Sequence, residues 1–327
     1  MGKHSPVSVT CYLTDSCNSR CLTCTVWRRR RRPDAPVTQW RHVLSQLGMT
    51  GVRYACFSGG EPLLYADLDA LIHEARASGM TAVEIATNGL YLTQERFQQL
   101  VLAGLTGMHL SVDGIGHVHD RIRGVPSAFE YAIKSLEMAR NMGLRISINM
   151  NLISLNLHQV ADVIQLARDN EAVWHPNLIN DTQHAFKGID KAYLSIDKSA
   201  ALSVDGVLAL ELDRDGRAIG LKNHHLPLLA QLLTGERTSA VPCLLGHDTI
   251  YVYPDLSVSP GCNVLQPIGS LKDQPLLEIV MGDPYQKRIQ VMEKRLCPGC
   301  TCGVWCNYDR ALTHCRLQPG ANGKGSS

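Results

Sequence analysis

No cysteine occurs between residues 57 and 242, although the chain of 327 residues holds 12. Core thiols placed at random would not leave such a gap. It separates Cys11, Cys17, Cys21, Cys24 and Cys56 from Cys243, Cys262, Cys297, Cys300, Cys302, Cys306 and Cys315. Two metal centres in two regions are expected. A signal-peptide core is also missing, because the opening Met-Gly-Lys-His-Ser-Pro leads at once into an apolar stretch. Many thiols without a secretion signal argue for reduced cysteine and metal, not disulfides. The expected compartment is the cytoplasm. No apolar run is long enough to span a bilayer. The formal net charge is only +2, so no global field draws the chain to nucleic acid or a membrane surface. No internal repeat is present.

The 45% hydrophobic composition supports a large core and two domains. The first half alternates between two periods. Strands are expected at Val7–Thr14, Val52–Phe57, Thr81–Thr87, Met108–Val112, Leu144–Met150 and Ala172–Leu178. Helices are expected at Thr38–Leu47, Ala66–Ser78, Thr93–Ala103, Ser127–Met142 and Asn156–Asp169. Gly79, Gly104 and Gly143 stand where three of these helices should end. Repeated strand–helix units mean an α/β fold with a parallel sheet and right-handed crossovers. About six units give an open sheet or partial barrel, with ligands at the C-terminal strand ends. The region 181–240 reads as a linker with helices at Lys198–Leu212 and Leu226–Leu233. A second region, 241–319, is expected to hold a hairpin (Thr249–Tyr253, Leu256–Ser259) and one helix, Leu276–Arg295. The small, polar segment 320–327 is expected to be a disordered tail.

The run CNSRCLTC, residues 17–24, follows the first expected strand. Three close thiolates can hold three corners of an iron–sulfur cube and leave one iron open; ordinary electron-transfer cubes use four cysteines. Zinc also takes thiolates, but its knuckles usually come as paired CxxC units, so the spacing favours iron–sulfur. The second expected strand ends in FSGGEPLL. Gly59 and Gly60 would let backbone approach a ligand and expose amide donors, and Glu61 adds a carboxylate. Amides beside a carboxylate suit a zwitterionic amino-acid group. Gly-Gly and Pro62 are also routine in a plain β–α turn.

These motifs together resemble the radical S-adenosylmethionine (radical SAM) superfamily. Its CxxxCxxC motif matches Cys17, Cys21 and Cys24, and its GGEP motif matches Gly59 to Pro62. ATNG (86–89), SVDG (111–114) and HDRIRG (119–124) follow in order. The resemblance implies a partial (β/α)6 TIM-like barrel with a small C-terminal iron–sulfur extension, a β-hairpin plus helix. It implies a 4Fe–4S cluster whose open iron chelates SAM, and reductive cleavage to a 5′-deoxyadenosyl radical that abstracts hydrogen. It further implies that Ser111 and Asp113 lie near the ribose or methionine moiety and Arg123 near the SAM carboxylate. Asn88 joins this cofactor-binding set with Gly59, Gly60 and Glu61. Many members carry an aromatic residue before the third cysteine; here it is Thr23.

The C-terminal cysteines resemble the twitch or SPASM extension of some members, which holds auxiliary 4Fe–4S clusters. The resemblance implies one such cluster on Cys243, Cys262, Cys297 and Cys300. Cys306 is a substitute ligand, and Cys302 and Cys315 leave room for a second cluster. Only Thr301 separates Cys300 from Cys302, which departs from the SPASM spacing. Zinc is the alternative for this region.

The five arginines at 28–32 suit an anionic substrate or partner, or a solvated loop. His117, His119, His224 and His225 read as structural. Cys11 and Cys56 read as inert core thiols, although either could face a cavity as a hydrogen donor. The expected substrate is a small polar intermediate of the sugar, aminocyclitol or nucleoside type, undergoing dehydrogenation, epimerisation or decarboxylation. The short segment before the first strand favours it over a ribosomal peptide. An external reductant such as flavodoxin or ferredoxin is expected, with no nucleic acid and no membrane as partner. A non-catalytic zinc or iron–sulfur protein is the remaining alternative.

Overall fold

The computed structural model describes residues 6–179, 188–234, 243–261 and 265–296. Strands β1 (Ser8–Thr14), β2 (Tyr54–Gly59), β3 (Ala82–Thr87), β4 (Gly107–Ser111), β5 (Arg145–Leu152) and β6 (Val173–Leu178) form one ladder. Each pairs in parallel with the next. Helices α1 (Val37–Met49), α2 (Leu68–Ala77), α3 (Gln94–Leu102), α4 (His117–Arg123), α5 (Ala128–Asn141) and α6 (Val160–Asp169) lie in the connections. With β7 (Thr249–Val252), β8 (Ser257–Ser259) and β9 (Gly269–Ser270), the sheet order is β6-β5-β4-β3-β2-β1-β7-β8-β9. The sheet is open, with no closed barrel among the described residues.

One face of the sheet packs under helices. Val9, Cys11 and Leu13 of β1, Phe57 of β2 and Ile148 of β5 are all fully buried there. The helices meet them with narrow apolar stripes: Trp40, Val43, Leu44 and Leu47 in α1, and Leu68, Leu71, Ile72 and Ala75 in α2. That i, i+3, i+4, i+7 spacing puts all four side chains on one side of the helix. Because side chains alternate along a strand, the intervening residues share the opposite face. It is half-buried and mostly polar: Thr10, Tyr12, Tyr54, Ser58, His109, Ser147, Asn149 and His175.

Several expectations change in three dimensions. The expected C-terminal hairpin is present as β7 (Thr249–Val252) and β8 (Ser257–Ser259). β7 runs parallel beside β1, with Ser8 opposite Thr249 and Cys11 opposite Val252, and β9 (Gly269–Ser270) adds an edge. The expected single helix Leu276–Arg295 is two helices, Leu276–Met281 and Asp283–Glu293, broken at an extended Gly282. Pro284 has no amide hydrogen and cannot continue the first helix, but it fits the first turn of the second. The motif HDRIRG proves helical, as α4. The helices expected at Lys198–Leu212 and Leu226–Leu233 run Lys198–Asp215 and Leu226–Leu233.

Candidate active site

The loop after β1 carries Cys17, Cys21 and Cys24, and the fold grips it from three sides. The end of β2 supplies the first. Gly60 N–H donates to Thr14 O at 2.6 Å and Glu61 N–H to Ser16 O at 2.8 Å. A Cβ on Gly60 would stand 2.1 Å from Ser16 O, and one on Gly59 would stand 2.4 Å from Thr14 O. The glycine pair therefore seats the cysteine loop. This corrects part of the expectation: the Gly60 and Glu61 amides serve the loop.

The end of β3 supplies the second grip. Asn88 Nδ2 donates to Asn18 Oδ1 (2.8 Å) and Ser19 Oγ (3.1 Å). Glu61 is tied to the same strand end: Oε1 accepts from Thr87 Oγ1 at 2.7 Å, and Oε2 accepts from Asn88 N–H at 2.8 Å. Burial pushes the Glu61 carboxyl up to about 7, against these bonds and one from Leu63 N–H.

The C-terminus of α4 supplies the third. Arg20 and Leu22 donate their amides to Arg123 O (3.0 Å) and Ile122 O (2.8 Å). Two otherwise orphaned helix carbonyls are satisfied in this way. The Arg123 side chain reaches Cys21 Sγ at 3.8 Å through Nη1 and Asp113 Oδ2 at 2.9 Å through Nη2. Asp113 is fully buried; its Oδ1 accepts Asn151 N–H at 2.7 Å, and its amide donates to His119 Nδ1 at 3.0 Å. His119 is therefore an acceptor at Nδ1, and burial pushes its pKa well below the usual value.

These elements enclose a cavity lined by all three cysteines with Gly59, Gly60, Glu61, Asn88, Ser111 and Arg123. Asp113 stands behind the wall and holds Arg123. Cys243 is elsewhere, buried with Met292. Cys262, Cys297, Cys300, Cys302, Cys306 and Cys315 lie outside the described residues. Sequence reasoning gave no site role to six lining residues: Ser19, Val26, Trp27, Ser58, Ala86 and Thr87. Trp27 supplies the aromatic wall that Thr23 does not, and its Nε1–H donates to Cys21 O at 3.2 Å. A tryptophan three residues past the last cysteine was its only signal.

The residues fit an iron–sulfur cluster. The three thiols line one cavity. Backbone N–H groups of Ser19 and Val26 already point at Cys17 Sγ (3.4 Å) and Cys24 Sγ (3.5 Å), and such donors stabilise cluster sulfurs. As free thiols, Cys17 and Cys24 are pushed by burial up to about 11; metal binding would reverse this. Arg123 Nε has no hydrogen-bond partner among the described residues, which suits an anionic group in the cavity.

The other thiols are now placed. Cys11 faces the helices with Val9 and Leu13. Cys56 pairs in register with Thr10 and Glu84 on the polar face. On that face Glu84 accepts from Tyr54 Oη (2.8 Å), His109 Nε2 (2.6 Å) and Arg145 Nη2.

A parallel α/β sheet with a three-cysteine loop at its C-terminal edge defines a class of cluster-bearing enzymes. The chain carries a radical SAM domain: residues 11–167 match the family model described as "Radical SAM superfamily". It is similar to the AdoMet-dependent heme synthase of Methanosarcina barkeri, 24% identical over 96% of this chain and 92% of that protein. It is 31% identical to the PqqA peptide cyclase of Bradyrhizobium diazoefficiens, over 51% of this chain and 44% of that protein. The fold is shared with Streptococcus suis SuiB bound to precursor peptide SuiA. That match has a TM-score of 0.71 at 18% identity, covering 87% of this chain and 66% of SuiB. The family's cofactors are a 4Fe–4S cluster and SAM. No helix among the described residues is long and apolar enough to cross a membrane.

Proposed function

We propose that this radical SAM enzyme abstracts hydrogen from a small polar biosynthetic intermediate of the sugar, aminocyclitol or nucleoside type. The observation behind the substrate class is the row beside the cavity. Ser111 pairs in register with Asn149, and Asn149 with His175, while Ser147 stands one step lower beside His109. Ser147, Asn149 and His175 make no side-chain hydrogen bond to another described residue. Burial pushes His175 down to about 4, so the row is neutral at pH 7. Polar groups left unpartnered at a half-buried wall favour a ligand that completes their hydrogen bonds.

Cys17, Cys21 and Cys24 would hold the cluster. The Gly59 and Gly60 carbonyls with Glu61 would receive the SAM ammonium, Arg123 its carboxylate, and Ser111 a sugar hydroxyl. When bound, cluster and SAM supply a carbon radical strong enough to take hydrogen from an unactivated C–H bond. Dehydrogenation, epimerisation and decarboxylation all begin there. Cys243, Cys262, Cys297 and Cys300 would carry an auxiliary cluster. The second reading is maturation of a ribosomal peptide, favoured by the names of the PqqA peptide cyclase and of SuiB with its precursor peptide.

Iron and sulfide per chain after anaerobic reconstitution test the cluster assignment. About eight iron in the wild type, falling to about four in Cys17→Ala/Cys21→Ala/Cys24→Ala, fits one cube at each region; about twelve falling to about eight fits two auxiliary cubes. Iron unchanged in the triple variant sinks the cluster assignment. The substrate class is tested by deuterium transfer into 5′-deoxyadenosine from perdeuterated sugars, aminocyclitols or nucleosides against deuterated peptides. Transfer from peptide alone overturns the small-molecule reading. Asn149→Ala and His175→Ala should raise KM with iron content unchanged.

A further inference from the structure

The cysteine loop leads into a strongly basic surface that the chemistry above does not use. Arg20, Arg28, Arg30 and Arg31 are all exposed. None forms an ion pair with a carboxylate of the described residues. Their neighbours are already engaged: Arg32 lies 3.9 Å from Asp15 and over the Tyr253 ring, and Arg29 donates to Thr25 Oγ1. Asp34 is the single acid between residues 25 and 36. Four guanidinium groups without a carboxylate partner among the described residues contrast with a net charge of +2 for the whole chain.

The patch is also wired to the cavity. Trp27 lines the cavity, bonds Cys21 O, and carries the guanidinium of Arg28 at 4.5 Å and of Arg20 at 5.4 Å from its ring centroid. Arg20 Nη1 further donates to Cys17 O at 3.2 Å and Ser19 O at 3.0 Å. The patch therefore covers the outer side of the backbone that would hold the cluster.

We propose that Arg20, Arg28, Arg30 and Arg31 form the docking surface for an acidic one-electron carrier protein, with Trp27 between the carrier and the cysteine loop. This rests on the radical SAM assignment, because a reductively started reaction needs an electron delivered to that loop. Charge complementarity steers such encounters and raises the on-rate more than it adds affinity through contacts. A patch of guanidinium groups suits carboxylates, which they can bind in bidentate pairs. The electron passes from carrier to cluster; no bond is made or broken at the patch.

The test uses the reconstituted full chain with an acidic flavodoxin as probe. Binding is measured by fluorescence anisotropy, and SAM cleavage is driven in parallel by flavodoxin or by dithionite. Arg30→Glu/Arg31→Glu should weaken flavodoxin binding by about tenfold or more at low salt. The difference should vanish near 1 M salt, where the screening length is about 3 Å. Iron content and dithionite-driven cleavage should be unchanged. If charge reversal impairs folding, Arg30→Gln/Arg31→Gln should give a smaller loss in the same direction. Unchanged flavodoxin affinity overturns the proposal. So does a rise in substrate KM with flavodoxin binding intact, which would assign the patch to an anionic substrate. Failure of dithionite-driven cleavage in the wild type would instead overturn the enzyme reading.

Discussion

A Cβ on Gly60 would lie 2.1 Å from the carbonyl oxygen of Ser16. The relationship joins the end of β2 to the loop that carries Cys17. Backbone faces backbone there, so no flexible side chain can yield.

We therefore predict that Gly60→Ala displaces the cysteine loop. Overpacking of this kind costs about 1–3 kcal/mol, and iron retained at the Cys17/Cys21/Cys24 site should fall by more than half. Gly206→Ala is the control, since nothing lies within 4 Å of its added Cβ and alanine favours a helix. Denaturation midpoints and iron content check both. Normal iron content in Gly60→Ala would refute the seating role.

Asp113, fully buried, and Arg123, nearly so, form an ion pair beside Cys21. Removing one partner of such a pair leaves an uncompensated charge and costs about 3–5 kcal/mol. Asp113→Asn should show a loss of that order in urea unfolding of the unreconstituted chain. The double variant Asp113→Asn/Arg123→Met should recover part of it. A single variant as stable as wild type would mean that Arg123 finds another anion.

Asn88→Ala removes donors to Asn18 and Ser19 while leaving the backbone bond to Glu61 in place. Burying unsatisfied groups costs about 1–3 kcal/mol. The loop should open more often, and a chelator should strip iron several-fold faster than from wild type. Equal stripping rates would place the restraint elsewhere.

Glu84 gives a pH dependence. Burial opposes its charge, but His109, Tyr54 and Arg145 outweigh burial and hold its pKa down at about 2. The folded value lies below the unfolded one, about 4.3. Its contribution to stability is therefore complete above pH ~4.3 and disappears as pH falls toward about 2. The gap in unfolding free energy between wild type and Glu84→Gln should be widest near neutrality and narrow below pH ~4. A gap constant with pH would show that Glu84 binds its proton equally in both states.

The sequence by itself determined the repeated strand–helix order, the three thiols after β1 and the GGEP turn after β2, and through its resemblance to a known family it implied the class of chemistry. These are local: period, turn glycines and spacing along one loop suffice to express them. Only the tertiary structure decided that Asp113 stands behind the cavity and Arg123 at its wall, because that depends on how α4 docks its last carbonyls on the cysteine loop. It also decided that β7 extends the sheet beside β1, since no residue of Thr249–Val252 announces its partner. Cys11 and Cys56 look alike in the chain, and only strand register sends one to the helices and the other to the polar face. Trp27 became a cavity residue through the fold of the loop between Cys24 and Arg32, which turns its Nε1–H back to Cys21 O and which local propensity does not encode.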